Sequence, residues 1–314
     1  MRGQIFWMQF ATGEPLRYVT YASDNGPRAG ILVEDAVVDA GTALRGALLG
    51  DRVNGAPTTR RLLGLERAQR AALGAAAEAA ADRGDALEAG DVTLHPPVPD
   101  PEKIICLGLN YRAHAHELEQ ESPPAPILFP KFPPSLIGPG APIQPPPGAR
   151  AVDYEGELAI VIGRRCKGAT AADALDHVAG CMPFNDVSER DLQFQTGQWT
   201  AGKALDTFAP CGPALVSLDE VGDLSDLTLR TWVNGTLMQE APTAAMIFPV
   251  PEIVAFISRL VTLVPGDIIA TGTPEGVGFR RDPPVFLSDG DTVEVEIEDV
   301  GRLVNPVVAG WARA

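Results

Sequence analysis

Glu155 and Glu157 stand two residues apart in the stretch "VDYEGELAIVIG", residues 152–163. The stretch reads as a β-strand, and side chains at i and i+2 of a strand share a face, with Cα atoms roughly 6.6 Å apart. Tyr154, Leu158, Ile160 and Ile162 fill the opposite face, while Ala159 and Val161 continue the face of the glutamates. That second face is therefore expected to be buried as well. Two carboxylates there repel by about 2.5 kcal/mol at an effective dielectric of about 20, before any desolvation. A metal ion is one physical answer, and a third acid would complete a hard oxygen site suited to Mg2+ or Mn2+. Asp186 in "GCMPFNDVSERDLQ", where an apolar run ends abruptly in Asn-Asp, is the candidate for that third ligand. The competing reading places both glutamates on the surface of an edge strand, and the residues alone leave the two readings open.

Histidine is scarce: His95, His114, His116 and His177. No HExxH is present, so a zincin is not indicated. "HAHELE" contains an HxH pair, but no third histidine lies nearby to complete a zinc cluster. His114 and Glu117 are three apart and share one side of a helical turn. A carboxylate bonded to an imidazole makes it a better general base for activating water. The bland alternative is a solvated polar loop. "GQWTAGKA", residues 197–204, imitates a phosphate-binding GxxxxGK loop, yet Ala204 stands where a magnesium-binding Ser or Thr belongs. No apolar strand leads into it and "LDTFAPCGP" cannot form the helix that should follow, so nucleotide binding is rejected.

These residues need a scaffold, and the 314-residue chain is long enough for two domains or one large one. With 29 prolines and 32 glycines it favours many turns over long helices. A net charge of −16, spread along the chain, argues against nucleic acid or anionic membrane as a partner. The four cysteines form no CxxC pair and sit in apolar contexts, as buried thiols of a reducing compartment would. Residues 1–10 lack the apolar core of a signal peptide, and no stretch approaches about 18 apolar residues. A soluble, cytoplasmic protein is expected.

Along the chain, "LRYVTYA" and "RAGILVEDAVVDA" read as short strands around a turn at "DNGPR". An alanine-rich helical stretch follows, broken or bent around Gly64 and Gly74. The rigid "LHPPVPDPEK" marks a boundary, so residues 1–95 form a small first domain and 96–314 a second. In the second, "KIICLGLNY" is a buried strand, "TAADALDHVAG" a helix opening on Thr170 with Asp173 as its capping acid, and "LTLRTWVNGTLMQEA" a hairpin turning at Asn234-Gly235. "PVPEIVAFISRLVTLVPGDII" gives an amphipathic helix, and "DTVEVEIEDVGRLVNPVV" alternates as strand. This second part is strand-rich and mixed, with a few short helices.

Taken together, the chain resembles the fumarylacetoacetate hydrolase family, in particular its FAH-domain-containing, acylpyruvase-like members. The resemblance rests on "GLNYRAHAHE", "FPKFPPSLIGPG", "VDYEGELAIVIGRRCKG", "HVAGCMPFNDVSERDLQ", "GQWTAGKALDTFAPCGPALV", "VNGTLMQ", "IIATGTPEGVG" and "RDPPVFLSDGD", in the family's order. It implies an α+β fold: mixed β-sheets rolled into a barrel-like catalytic core with short helices, preceded by a small α/β domain. It implies a divalent cation, Mg2+ with Mn2+ or Ca2+ as substitutes, on Glu155, Glu157 and Asp186. His114 and Glu117 would be a water-activating dyad on a lid, and Lys203 the family's active-site lysine. Arg190, Gln193, Thr207, Gln239 and Thr273 match positions near substrate or metal, and Asp153 a supporting position behind the ligand pair. Ala204 departs from the serine of many members, and His116 stands beside the dyad, so His114 is chosen by spacing.

The implied chemistry is hydrolysis of a carbon–carbon bond in a 2,4-dioxo acid of the acylpyruvate or fumarylpyruvate type. Activated water attacks the distal carbonyl, and Lys203 stabilises the enolate that leaves. Decarboxylation of an oxaloacetate-type acid and isomerisation of a 2-hydroxyhepta-2,4-diene-1,7-dioate pass through the same kind of enolate and are the alternatives. The resemblance further implies a homodimer acting on a small-molecule oxo acid, with no nucleic acid or membrane partner.

Overall fold

The computed structural model describes residues 16–50, 56–222 and 224–310. The reading of residues 1–10 therefore lies outside the described residues. A strand apolar on both faces has to sit inside a sheet that is covered on both sides. Gly156–Ile162 does so, pairing antiparallel with Val178–Asn185 on one flank and Ile268–Ala270 on the other. Its alternating side chains enter two different cores. Leu158, Ile160 and Ile162 pack with Cys181, Ile253 and Ile269. Ala159 and Val161 pack with Cys106, Met182 and Phe184. The edge-strand reading is excluded.

This strand belongs to an 11-stranded mixed sheet. Beyond Ile268–Ala270 come Ile104–Gly108, paired parallel to it, and Ile127–Lys131 at the edge. On the other side Val178–Asn185 pairs with Leu215–Ser217, which in turn pairs with Arg17–Tyr21. Through that last pairing Arg28–Val33 and Ala36–Asp39 join the same sheet, so these N-terminal strands share a sheet with the glutamate strand. A second sheet of four strands runs Thr236–Pro242, Thr228–Val233, Thr292–Ile297, Gly301–Pro306. Its hairpin turns on Asn234 and Gly235 with φ of 50° and 75°, the left-handed pair that matches strand twist. The class is α+β, but the sheets are open rather than closed into a barrel: Leu87–Glu88 and Ile127–Lys131 end the large one without pairing to each other.

The two sheets meet at the centre of the Glu-Gly-Glu triplet. A Cβ on Gly156 would lie 2.0 Å from Thr231 Oγ1 of the second sheet. Glycine there lets the sheets close while the flanking glutamates extend to one side.

Two helical expectations change. The chain does break at Gly64, between Thr59–Leu62 and Arg67–Asp82, but Gly74 lies within the longer helix, whose Leu73, Ala77 and Ala80 face the core. "TAADALDHVAG" forms only a short 3-10 turn, Ala174–His177. The cap contact exists, with Thr170 N–H donating to Asp173 Oδ1 at 2.6 Å. The residues from Val178 onward are taken by the sheet's interior strand, which leaves no length for a helix. The amphipathic helix Val250–Leu260 forms as expected. No helix among the described residues is long and apolar enough to cross a membrane, and the four cysteines are buried and unbridged.

Candidate active site

Glu155 ends the approach to the central strand, Glu157 lies on it, and Asp186 follows the neighbouring strand directly. The backbone locks the three together: Asp186 N–H donates to the Glu155 carbonyl at 2.8 Å, and Glu155 N–H donates to Asn185 Oδ1 at 3.0 Å. One carboxylate oxygen from each residue lies within 4.8 Å of the other two, and all three residues are buried.

Cations crowd this cluster. Lys203 Nζ reaches Glu155 Oε2 and Asp186 Oδ2, each at 2.6 Å. Burial alone would lower the Lys203 pKa, but Asp186 and Glu155 outweigh it and raise it, so the ammonium stays charged. Arg190 binds Glu155 Oε1 at 2.7 Å and Asp153 Oδ2 at 2.8 Å, and donates to Gln193 Oε1. Burial works to raise the Glu155 pKa, yet Lys203, Arg190 and His114 together hold that carboxyl well below the carboxylate range.

Glu157 is different. It forms no ion pair with any described residue; Gly272 N–H donates to its Oε2 at 2.8 Å, and its Oε1 is buried without a partner. Burial, then the Asp186 and Glu155 carboxylates, push it well above the ordinary range. A buried, orphaned carboxylate oxygen beside two other carboxylates fits a divalent cation, which would satisfy that oxygen and let Glu157 ionise. The three acids can hold such an ion.

Lys131 carries no mark in the sequence as a site residue beyond its place in "FPKFPPSLIGPG". Its side chain is fully buried, with Nζ 2.7 Å from Asp186 Oδ1. It also donates to the carbonyls of Val187, Phe208 and Lys203. One ammonium thus fixes a candidate metal ligand and the main chain that carries Lys203. A lysine between a buried strand and prolines was the available signal. Asp153, expected behind the ligands, is there: it accepts from Arg190 and from the N–H groups of Gly278 and Phe279.

Opposite the acids, Arg112–Glu117 forms the short helix that the sequence left undecided between helix and loop. His114 is buried and His116 is exposed. His114 Nδ1 lies 3.0 Å from Glu117 Oε2, and Gly276 N–H donates to Glu117 Oε1 at 2.9 Å. A carboxylate partner requires the proton on Nδ1, leaving Nε2 as the basic nitrogen.

His114, Glu155, Arg190, Gln193, Lys203 and Thr273 line one cavity of about 60 Å³. Leu109, Leu118, Phe129, Phe194, Trp199 and Phe279 supply its apolar wall. Gly108 seats Trp199 there, since a Cβ would come within 2.3 Å of the ring. Glu117, Glu157 and Asp186 stand behind this lining, against His114 and Glu155, and two further expected residues are elsewhere. Gln239 is not on the cavity wall; its amide accepts from Gly156 N–H and donates to Thr273 Oγ1 and the Pro274 carbonyl. Thr207 accepts from Gln144 N–H outside the cavity.

Residues 103–308 match the family described as fumarylacetoacetate (FAA) hydrolase C-terminal. The chain belongs to the fumarylacetoacetate hydrolase family. It is 48% identical over 224 residues to "Oxaloacetate tautomerase FAHD2B, mitochondrial" of Bos taurus, covering 71% of each chain. Among solved structures, the 2-hydroxyhepta-2,4-diene-1,7-dioate isomerase from Mycobacterium marinum superimposes with a TM-score of 0.71 at 36% identity, covering 94% of this chain and 98% of that one. The fumarylacetoacetate hydrolase from Exiguobacterium antarcticum gives 0.77 at 35% identity, with 94% and 99% covered. This fumarylacetoacetate hydrolase family chain is thus similar to a tautomerase, an isomerase and a hydrolase at once.

Proposed function

We propose that the chain is a divalent-metal-dependent enzyme that forms the enolate of a short 2-oxo acid, with keto–enol tautomerisation of an oxaloacetate-type acid as its reaction. The observation that carries this reading is one small cavity lined by both His114, which Glu117 holds from behind, and Glu155, the member of the three-acid cluster that faces that cavity. About 60 Å³ has room for only a few water molecules, which favours an acid of few carbons over a long or multi-ring substrate. The relative named oxaloacetate tautomerase points the same way.

Glu155, Glu157 and Asp186 would hold the ion, and an all-carboxylate set suits Mg2+ before Mn2+ or Ca2+. When bound, the ion would act as a Lewis acid on the substrate's oxygens. The chain's own residues do the proton work. His114 Nε2 takes the proton from the carbon between the two carbonyl groups, while Glu117 keeps Nδ1 protonated and stabilises the imidazolium. The Lys203 ammonium gives a hydrogen bond to the oxygen on which negative charge develops; that oxygen then takes a proton from solvent as the imidazolium returns its own, so the enol forms and the base is restored. Arg190 holds Glu155 and Gln193 in place, Thr273 borders the substrate, and the apolar wall limits water.

A second reading is supported by the same dyad. With water between His114 Nε2 and the distal carbonyl of an acylpyruvate, the pair would drive carbon–carbon hydrolysis. Decarboxylation of oxaloacetate needs the enolate but no base, so the buried dyad favours it less. We also propose a cytoplasmic homodimer with no nucleic acid or membrane partner; "mitochondrial" belongs to the name of the vertebrate relative.

Metal-stripped protein given Mg2+ and then either oxaloacetate or a short acylpyruvate, followed in the ultraviolet with product identification, separates the readings. Metal-dependent loss of the enol with oxaloacetate conserved supports tautomerisation. Cleavage of the acylpyruvate supports hydrolysis, and no acceleration of either reaction over buffer sinks both.

A further inference from the structure

The dyad helix is only six residues long, too short to hold itself together in water. Its end is therefore a question of tertiary contacts. The carbonyls of His114, Ala115 and His116 accept main-chain N–H groups of the turn that follows. Glu117, the last helical residue, has its carbonyl oxygen covered from far away in the chain. Arg280 donates to it through Nε at 2.9 Å and Nη2 at 2.5 Å. Immediately beyond, the main chain turns through Glu119 at φ 57°, a left-handed conformation that a residue with a Cβ adopts only under constraint.

Arg280 is itself anchored. The preceding residues Gly278 and Phe279 give their N–H groups to Asp153, the buried partner of Arg190. The Arg190 guanidinium lies 4.4 Å from the Phe279 ring centroid. Gly276 of the same segment binds Glu117 Oε1. One segment, residues 276–280, therefore grips Glu117 at its side chain and at its carbonyl, and is tied through Asp153 to the chain two residues before Glu155.

We infer that Arg280 is a positioning residue that clamps the helix end and so holds the His114–Glu117 pair in register with the three acids. It touches neither ring nor carboxylate of the pair; it acts through the main chain of Glu117, where a cation also complements the helix's negative end. The role of the pair rests on the proposed function above, but the clamp does not.

Three variants test it in the full-length protein: Arg280→Ala, Arg280→Lys, and Glu119→Ala. Glu119 approaches Arg280 at 3.5 Å from an 88% exposed side chain, so its loss removes only a surface ion pair. Amide exchange of residues 112–120 is expected to quicken about tenfold or more in Arg280→Ala, partly recover in Arg280→Lys, and stay at the wild-type rate in Glu119→Ala. The Mg2+ dissociation constant should stay within about twofold throughout. On the substrate that the wild type turns over, kcat should fall about tenfold or more in Arg280→Ala with KM little changed, because a dyad out of register harms the transition state most. Unchanged exchange in Arg280→Ala overturns the clamp, as does a loss of Mg2+ affinity that matches the loss of kcat. If exchange quickens as expected but the wild type transforms no oxo acid, the clamp stands and the functional reading falls.

Discussion

The two walls of the cavity are built in opposite ways. The acid wall is over-determined: Glu155, Glu157 and Asp186 come from adjacent interior strands, are cross-bonded by their backbones, and are flanked by Lys131, Arg190 and Lys203. The dyad wall is a six-residue helix held by the 276–280 segment and a few buried side chains. A charge cluster needs rigid, water-free support to stay organised, whereas the base proposed in His114 has to be reachable. Stability should thus belong to one wall and turnover to both.

The sharpest way to break that contrast is to remove the imidazole. His114→Ala should lower turnover by about 10²–10⁴-fold, while denaturant midpoints shift by about 1 kcal/mol or less of unfolding free energy. A large loss of stability would mean that the dyad wall is structural as well. Lys131→Met should do the reverse: it strips a fully buried cation from Asp186 and three carbonyls. Urea titration is expected to show a loss of about 3–5 kcal/mol, together with weakened Mg2+ binding by calorimetry. Wild-type stability with Lys131→Met would show that the acid wall is not over-determined.

A third experiment sharpens the role of the orphaned oxygen. Mg2+ at about a hundred times its dissociation constant should stabilise the wild type by about 2.7 kcal/mol. Glu157→Gln should lose that increment while folding at least as well without metal, because the uncompensated buried acid is gone. An equal Mg2+ increment in both proteins would remove Glu157 from the ligand set. The smallest effect concerns the apolar wall: Gly108→Ala should force Trp199 off its seat at about 1–3 kcal/mol, and raise KM more than it lowers kcat. An unaltered melting profile and KM would show that the ring has room to give.

Much of the acid wall could be read in the chain, because period-2 alternation and burial are local properties of a strand. "VDYEGELAIVIG" shows two apolar faces and two acids on one of them, and the abrupt Asn-Asp after "GCMPF" points to the third. Asn234-Gly235 and the helix Val250–Leu260 were legible for the same reason: turn conformation and helical period are written in neighbouring residues. "TAADALDHVAG" misled because its helix propensity lost to strand pairing with residues far away, an outcome that local pattern does not contain.

Sequence alone determined the candidates: an acid pair at strand spacing, a His-x-x-Glu at helical spacing, and a lysine in a false phosphate loop. Only the tertiary structure decided which of them meet. It brought Lys131 under Asp186 from 55 positions away in the chain (186 minus 131), turned His114 inward and His116 outward, and set Gln239 against main chain instead of in the cavity. The physical reason is that charge–charge and hydrogen-bond energies depend on distance and burial, and for residues far apart in sequence both are fixed by packing alone.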